Sequence, residues 1–168
     1  YDNVVMGRDN IVNSDDNVVL GPGNTVTGDR NFAAMGSNIV GNNAVGIGQG
    51  SRVLGSHGIA VGTGSGAWGP GATALGVGAQ AIGPGATALG AFSVGTGPGT
   101  VSVGNPLVKR RITNVAPGKD GTDAVNVNQL EEAHAGIAAT AAMGFTMTPS
   151  APGRMFAKNA CCSASSFV

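Results

Sequence analysis

The chain has 168 residues, one domain's length or one small domain with appendages, and its 9 Lys plus Arg balance 9 Asp plus Glu, so global charge draws it to neither nucleic acid nor anionic membrane. Glycine fills 30 positions while aromatics make up 4% of the chain, which excludes an ordinary core of large side chains. Between Val53 and Val108 no Asp, Glu, Lys or Arg occurs and His57 alone titrates, yet glycines interrupt every apolar run, so no transmembrane helix fits.

Residues 1 to 40 carry a loose beat of seven. Met6-Gly7, Leu20-Gly21 and Thr27-Gly28 keep the step, Ser14 stands in the missing slot, and a slip around Met35-Gly36 restores register at Val40-Gly41. Asn3, Asn10, Asn17, Asn24, Asn31 and Asn38 are again seven apart. Asparagine tolerates the left-handed backbone almost as glycine does, so these residues are predicted to turn the chain. The pattern is already running at Tyr1, which predicts a fragment whose export signal lies upstream.

From Gly41 the beat becomes strict: Gly48, Gly55, Gly62, Gly69, Gly76, Gly83, Gly90, Gly97 and Gly104 follow at steps of seven. Nine of the ten residues just before these glycines are apolar. A heptad usually means a coiled coil, but a glycine in each heptad costs a helix about 1 kcal/mol relative to alanine. Short strands, each ended by a glycine of positive φ, fit instead. Gly-Pro-Gly recurs from Gly69, Gly83 and Gly97, and Ala-Thr-Ala-Leu-Gly from Ala72 and Ala86, so the structural unit is twice seven. The prediction for residues 1–104 is a mainly β solenoid, a parallel β-roll of 14-residue coils with two short strands each. Stacking then aligns Ile47, Val61, Leu75, Leu89 and Val103 in one apolar column and Leu54, Trp68 and Ile82 in another. Ala60, Ala74 and Ala88 take the opposite strand face, where small residues admit a second sheet or another chain. So thin a roll buries little per residue against the ~1–2 kcal/mol cost of ordering each one, which favours packing several rolls side by side.

Charge returns at Lys109-Arg110-Arg111, with Asp120 and Asp123 following, a pattern that predicts pairing between subunits rather than a nucleic-acid patch. A loop here could also cover the unpaired strand edge of the last coil. Asp123 suits a helix N-cap, and Val127, Leu130, His134, Ile137, Ala141 and Gly144 then fall at coiled-coil spacing. Cys161 and Cys162, adjacent in the tail, suit neither a comfortable mutual disulfide nor a metal site.

Two groups of residues carry a family resemblance. Asn43-Ala44-Val45-Gly46-Ile47-Gly48-Gln49-Gly50-Ser51 resembles the head repeat N-S-V-A-I-G-x-x-S of the YadA-like trimeric autotransporter adhesins, with Ala and Gly at its second and fourth places. Val101 to Gly104, Arg111-Ile112-Thr113-Asn114-Val115-Ala116-Pro117-Gly118 and Thr122-Asp123-Ala124-Val125-Asn126-Val127-Asn128-Gln129-Leu130 resemble the family's neck. The resemblance implies a left-handed β-roll head over 1–104, a neck over 105–122 and the start of a coiled-coil stalk over 123–148, assembled as a homotrimer. Residues 149–168 are expected to be a truncated or aberrant remnant of the membrane anchor, since Pro149 to Arg154 looks like its beginning and no alternating strands follow.

The function implied is adhesion at the bacterial surface, to host extracellular matrix such as collagen or to host cells, together with self-association. Neither enzyme activity nor any cofactor is implied, and attachment to the outer membrane would need an anchor not intact in this chain. Candidate ligand contacts are Asn43, Val45, Ile47 and Ser51. Ile47, Val61, Leu75, Leu89 and Val103 are candidates for the trimer core. Arg111, Ile112, Asn114, Val115, Asp123, Ala124, Val125, Asn126, Gln129 and Leu130 are candidates for the neck. Two other classes compete. Acyltransferases of the left-handed β-helix type use hexapeptide coils, at odds with a step of seven, and neither His57 nor His134 has an acidic neighbour in a motif. A fibre that serves only as a spacer remains open.

Overall fold

A computed structural model of the chain describes residues 2–142, 146–149 and 155–158. Two compact units divide it, one ending at Arg111 and the other beginning at Ile112.

The first unit is a roll of two parallel sheets, and successive strands alternate between them. One sheet holds eight strands: Val4–Met6, Val18–Leu20, Phe32–Ala34, Val45–Ile47, Ile59–Val61, Thr73–Leu75, Thr87–Leu89 and Val101–Ser102. The other holds seven: Ile11–Val12, Thr25–Thr27, Asn38–Val40, Arg52–Val53, Gly66–Ala67, Gln80–Ala81 and Val94–Gly95. Ladder partners such as Ala60, Ala74 and Ala88 stand 14 residues apart, as the doubled beat of seven requires. The pairings Thr25 with Asn38 and Phe32 with Val45 span 13 residues instead, which locates the slip in the turn at Met35–Ser37. The shortened turn places Met35 and Gly36 both in the left-handed region, and Asn24 Oδ1 accepts hydrogen bonds from the Gly36 and Ser37 amides at 3.0 Å each.

The interior is thin and made of small residues. In three-residue strands of the larger sheet the middle side chain points inward and the outer two point out, so Val19, Ala33, Ala60, Ala74 and Ala88 are fully buried. Val26, Ile39, Val53, Ala67 and Ala81 face them from the other sheet. The alanines therefore serve the approach of the second sheet. Gly46 breaks the alanine row for a steric reason: a Cβ there would lie 3.1 Å from Ile39 Cγ1, so the bulk of Ile39 fills its place.

Two expectations about the turns need correction. None of the asparagines at the step of seven has positive φ. The left-handed residue is the one before, giving Asp9, Asp16, Gly23 and Arg30 early in the stack and Gly50, His57, Gly64, Gly71, Gly78, Gly85, Phe92 and Gly99 later. Asn38 is exposed on its strand, while Asn17, Asn24 and Asn31 point into the roll, and the asparagines before Asn38 form ladders. Asn3 Oδ1 accepts from the Asn17 amide at 2.8 Å, Asn17 Oδ1 from the Asn31 amide at 2.8 Å, and Asn31 Oδ1 from the Ala44 amide at 2.9 Å. Asn31 Nδ2 donates at 2.8 Å to the carbonyls of both Gly28 and Gly41. The buried amides of Asn17, Asn24 and Asn31 are tolerated because each is bonded to the coil beside it, whereas Ser51 Oγ is buried without a partner.

The strict glycines also do more than accept positive φ. Gly55, Gly69 and Gly83 are not left-handed, but a Cβ on Gly69 would lie 2.5 Å from the Gly83 oxygen and one on Gly83 2.6 Å from the Thr96 oxygen. On the opposite corner Gly62 and Gly76 combine both constraints: each has a φ of 130°, and a Cβ on either would lie 2.6 Å from the carbonyl carbon of the next coil's glycine. Backbone lies directly on backbone from coil to coil, which leaves no room for a side chain.

The second unit contains the helix Val127–Ala142 and an antiparallel pair, Thr146–Pro149 with Met155–Lys158. The helix begins later than Asp123 would place it. Asn126 is the N-cap, its Oδ1 accepting from the Gln129 amide at 3.1 Å while Gln129 Oε1 accepts from the Asn126 amide at 3.3 Å. Asp123 instead closes the preceding turn: its carboxylate accepts from the amides of Lys119 and Asp120, and these bonds hold its pKa below the ordinary aspartate value. The antiparallel pair falls partly in the segment where no alternating strands were expected; Met155-Phe156-Ala157-Lys158 lacks the regular alternation that would have revealed it. Gly144, Cys161 and Cys162 lie outside the described residues.

Gly76→Ala should lower the thermal stability of the roll markedly, since a Cβ there combines a φ of 130° with a 2.6 Å approach to the Gly90 backbone. We expect a loss of at least about 2 kcal/mol, measured by denaturant unfolding. Gly71→Asn, at φ 66° with no atom within 4 Å of the new Cβ, should be nearly neutral.

Candidate binding and assembly surfaces

The small interior pushes the large aliphatic side chains outward. On the eight-stranded sheet the two outward positions of each strand form two columns. One runs Val18, Phe32, Val45 and Ile59 before passing to Thr73 and Thr87; the other runs Leu20, Ala34, Ile47, Val61, Leu75 and Leu89, reaching Val103 just beyond the last strand. Ile47, Val61, Leu75 and Val103 are only partly covered, and Leu89 is 46% exposed. The ladder thus brings together all five residues expected in the roll or trimer core, on the outside of the single roll. This is a continuous uncharged apolar face of a kind that single surface side chains do not make.

The candidate ligand contacts divide. Asn43 sits on an exposed turn at φ 55°, its Oδ1 accepting from Arg30 Nε at 3.0 Å. Val45 and Ile47 belong to the apolar columns. Ser51 is fully buried between the sheets, where its side chain offers nothing to a ligand. No helix among the described residues is long and apolar enough to cross a membrane, and no cluster of three potential metal ligands occurs among them.

The lower end of the roll is closed by the segment after the last strand. The Val94 amide donates to the Gly104 carbonyl at 2.8 Å, and Asn105 Nδ2 donates to the Phe92 carbonyl at 2.9 Å. Arg110 completes the closure, donating to Ser93 Oγ at 2.9 Å, to the Val103 carbonyl at 2.7 Å and to the Ala91 carbonyl at 2.6 Å. Its guanidinium fork serves several acceptors that the last coil would otherwise leave open. The expected wrapping loop is present, but Arg110 acts through backbone carbonyls of the roll rather than through an acidic partner. Nothing in its sequence context distinguishes it from Lys109 or Arg111.

In the second unit the two halves of the neck motif meet. Ile112, Asn114 and Val115 line one side of an open groove of about 450 Å³, and Ala124, Val125 and Asn126 line the other. Gln129 clamps the turn from the helix: Oε1 accepts from the Gly118 amide at 2.8 Å and Nε2 donates to the Gly118 carbonyl at 2.9 Å. Asn126 Nδ2 adds a bond to the Val115 carbonyl at 3.1 Å. Ile112, Val125, Val127, Leu130 and Ile137 remain exposed, and Arg111 is exposed as well. A solitary 16-residue helix with its apolar positions in water is marginal, so this unit also presents an apolar seam in need of cover.

Comparisons with known proteins match the roll and the segment that follows it. The sequence profile of the YadA head domain repeat matches twice, over residues 40–65 and 69–93. The profile of the coiled stalk of trimeric autotransporter adhesins matches residues 111–151. The crystal structure of the collagen-binding domain of the Yersinia adhesin YadA is similar, with 26% sequence identity and a TM-score of 0.65, over 79% of this chain and 75% of that chain. No curated protein sequence matches.

Gln129→Ala removes the clamp on Gly118 and one half of the capping box together. The helix should lose about 1–2 kcal/mol of stability, seen as an earlier loss of the helical circular dichroism signal on heating, with the β signal of the roll unchanged.

Proposed function

The chain is a YadA-like trimeric autotransporter adhesin, and on that premise we propose that its β-roll is a head that binds collagen or related host extracellular matrix as a homotrimer. Family and fold are those of non-enzymatic surface proteins, and members of the family stand on the bacterial outer membrane. The observation that carries the collagen reading is the likeness of the roll to a collagen-binding domain over most of both chains.

In this reading the eight-stranded sheet faces the other two subunits. Ile47, Val61, Leu75, Leu89 and Val103 pack there against their counterparts, with Val45 beside them, and the apolar face leaves water. Burying each such side chain is worth roughly 1.5–3 kcal/mol, which the alanine interior of one roll does not supply. Neck residues Ile112, Asn114, Val115, Ala124, Val125 and Asn126 pass the three chains into the stalk, where Leu130 continues the seam; Asp123 and Gln129 hold the local turn, and Arg111 lies at the start of the crossing. The ligand then meets the seven-stranded sheet and the exposed turns, Asn43 among them. Three copies act together, so modest individual contacts sum to useful avidity, and the same surfaces could support self-association of bacteria.

Purified protein should sediment at about three times 16.3 kDa and be retained on immobilised collagen. Trimers that bypass collagen would mark the head as a spacer; monomers that bind it would remove the assembly half of the proposal.

A further inference from the structure

We propose that the outer face of the seven-stranded sheet, along Leu54, Trp68 and Ile82, is where the head takes triple-helical collagen, with the Trp68 ring as the plane on which proline rings pack. This rests on the collagen reading and adds to it a place and a chemistry of contact.

The stripe is a product of the ladder. Leu54, Trp68 and Ile82 each follow an inward residue, Val53, Ala67 and Ala81, and those three are ladder partners. Their side chains emerge at one position on three successive coils, and Leu54 and Ile82 are 45% and 48% exposed. Adjacent parallel strands lie about 4.8 Å apart, so two coil steps cover about 10 Å. A polyproline II chain rises about 3.1 Å per residue, so a Gly-X-Y triplet covers nearly the same length. A triple helix lying along the stack therefore repeats its outward imino-acid rings nearly in step with the stripe.

Trp68 is fixed in advance. Its ring folds over Gly66, where a Cβ would lie 2.5 Å from Nε1. The indole N–H donates to Gln80 Oε1 at 2.6 Å, and Gln80 Nε2 is tied to the Gly64 carbonyl at 3.0 Å. The only polar atom of the indole is thus satisfied within the roll, and what faces outward is an apolar aromatic surface. Ordering it costs little at the moment of binding.

Charge decides the class of partner. Arg52 is exposed on this face as the ladder partner of Gly66, but across the coils from Val53 to Val108 there is no charged side chain, so beyond that one cation a partner recognised by ion pairs finds nothing on these coils. At the turn that follows this strand position Pro70, Pro84 and Pro98 are exposed one above another, extending the neutral surface. Proline-rich chains in polyproline II conformation dock on aromatic-lined neutral surfaces of this kind. The collagen triple helix is the matrix ligand built from such chains.

The chain contains one tryptophan, so its emission reports on this site alone. The full trimeric protein is titrated with a triple-helical peptide of Pro-Hyp-Gly repeats, which carries no aromatic residue. A saturable blue shift of Trp68 emission should follow the same isotherm as binding measured on the immobilised peptide. Trp68→Ala should weaken binding at least tenfold and Trp68→Phe less, with trimer mass and β-sheet signal unchanged; should the variants misfold, the wild-type emission decides. Binding to the peptide without an emission change, or to fibrillar collagen but not to the peptide, overturns this assignment and leaves the collagen reading standing. Failure to bind either form of collagen overturns both. An emission shift with phosphatidylcholine vesicles but not with the peptide overturns the assignment in favour of a membrane contact.

Discussion

Coil rests on coil at the corners of the roll with backbone against backbone, and the rest of the molecule follows from that contact. A Cβ on Gly62 or Gly76 would lie 2.6 Å from the glycine carbonyl carbon of the next coil, so these corner positions have no room for a side chain. With the corners that tight the two sheets of a coil stand close, and the space between them is filled by alanine, serine, valine, a paired glycine and isoleucine and, in the early coils, hydrogen-bonded asparagine. The larger aliphatic residues are left outside, on the faces of the sheets. A single roll is therefore an inverted object, small within and greasy without, and it becomes an ordinary protein when its eight-stranded face is covered.

Polar chemistry compensates where the glycines thin out. In the first three coils Asp16 and Arg30 hold left-handed corners that glycine holds further along, and Asn17, Asn24 and Asn31 accept amide hydrogen bonds from the next coil, whereas later amides such as those of Ala72 and Ala86 bond to a carbonyl of their own turn. Serine and alanine take over the asparagine positions toward the neck, among them Ser65, Ala79 and Ser93. At the far end Arg110 supplies through one guanidinium what another coil would supply through its amides. The stack is thus uniform in geometry while its side-chain chemistry shifts along its length.

Much of this was legible in the sequence because repetition makes each position a statement about a column. The 14-residue coil, the slip near Met35, the alignment of Val61 with Leu75 and the opposite placement of Ala74 all follow from counting residues. What counting does not give is direction. Alternation sets Leu75 and Ala74 on opposite faces without saying which is inside, and the answer came from corner sterics. The asparagines stood at the right spacing for turn residues and proved to lie one position past the turn, because ladder hydrogen bonding and left-handed backbone are both within asparagine's repertoire. Asp123 and Asn126 compete as N-caps on spacing alone, and Gln129, three residues after Asn126, is the capping-box partner that decides between them. Arg110 and the latch of Trp68 on Gln80 join residues 12 to 19 apart through side chains, which a strand pattern cannot record.

If the apolar sheet face makes folding and assembly one event, thermal unfolding measured over a hundredfold range of protein concentration tests it most directly. A single transition whose midpoint rises with concentration, as trimer and fold are lost together, is the predicted result. A midpoint that does not move with concentration, in a roll that stays folded when diluted to monomer, would contradict the account.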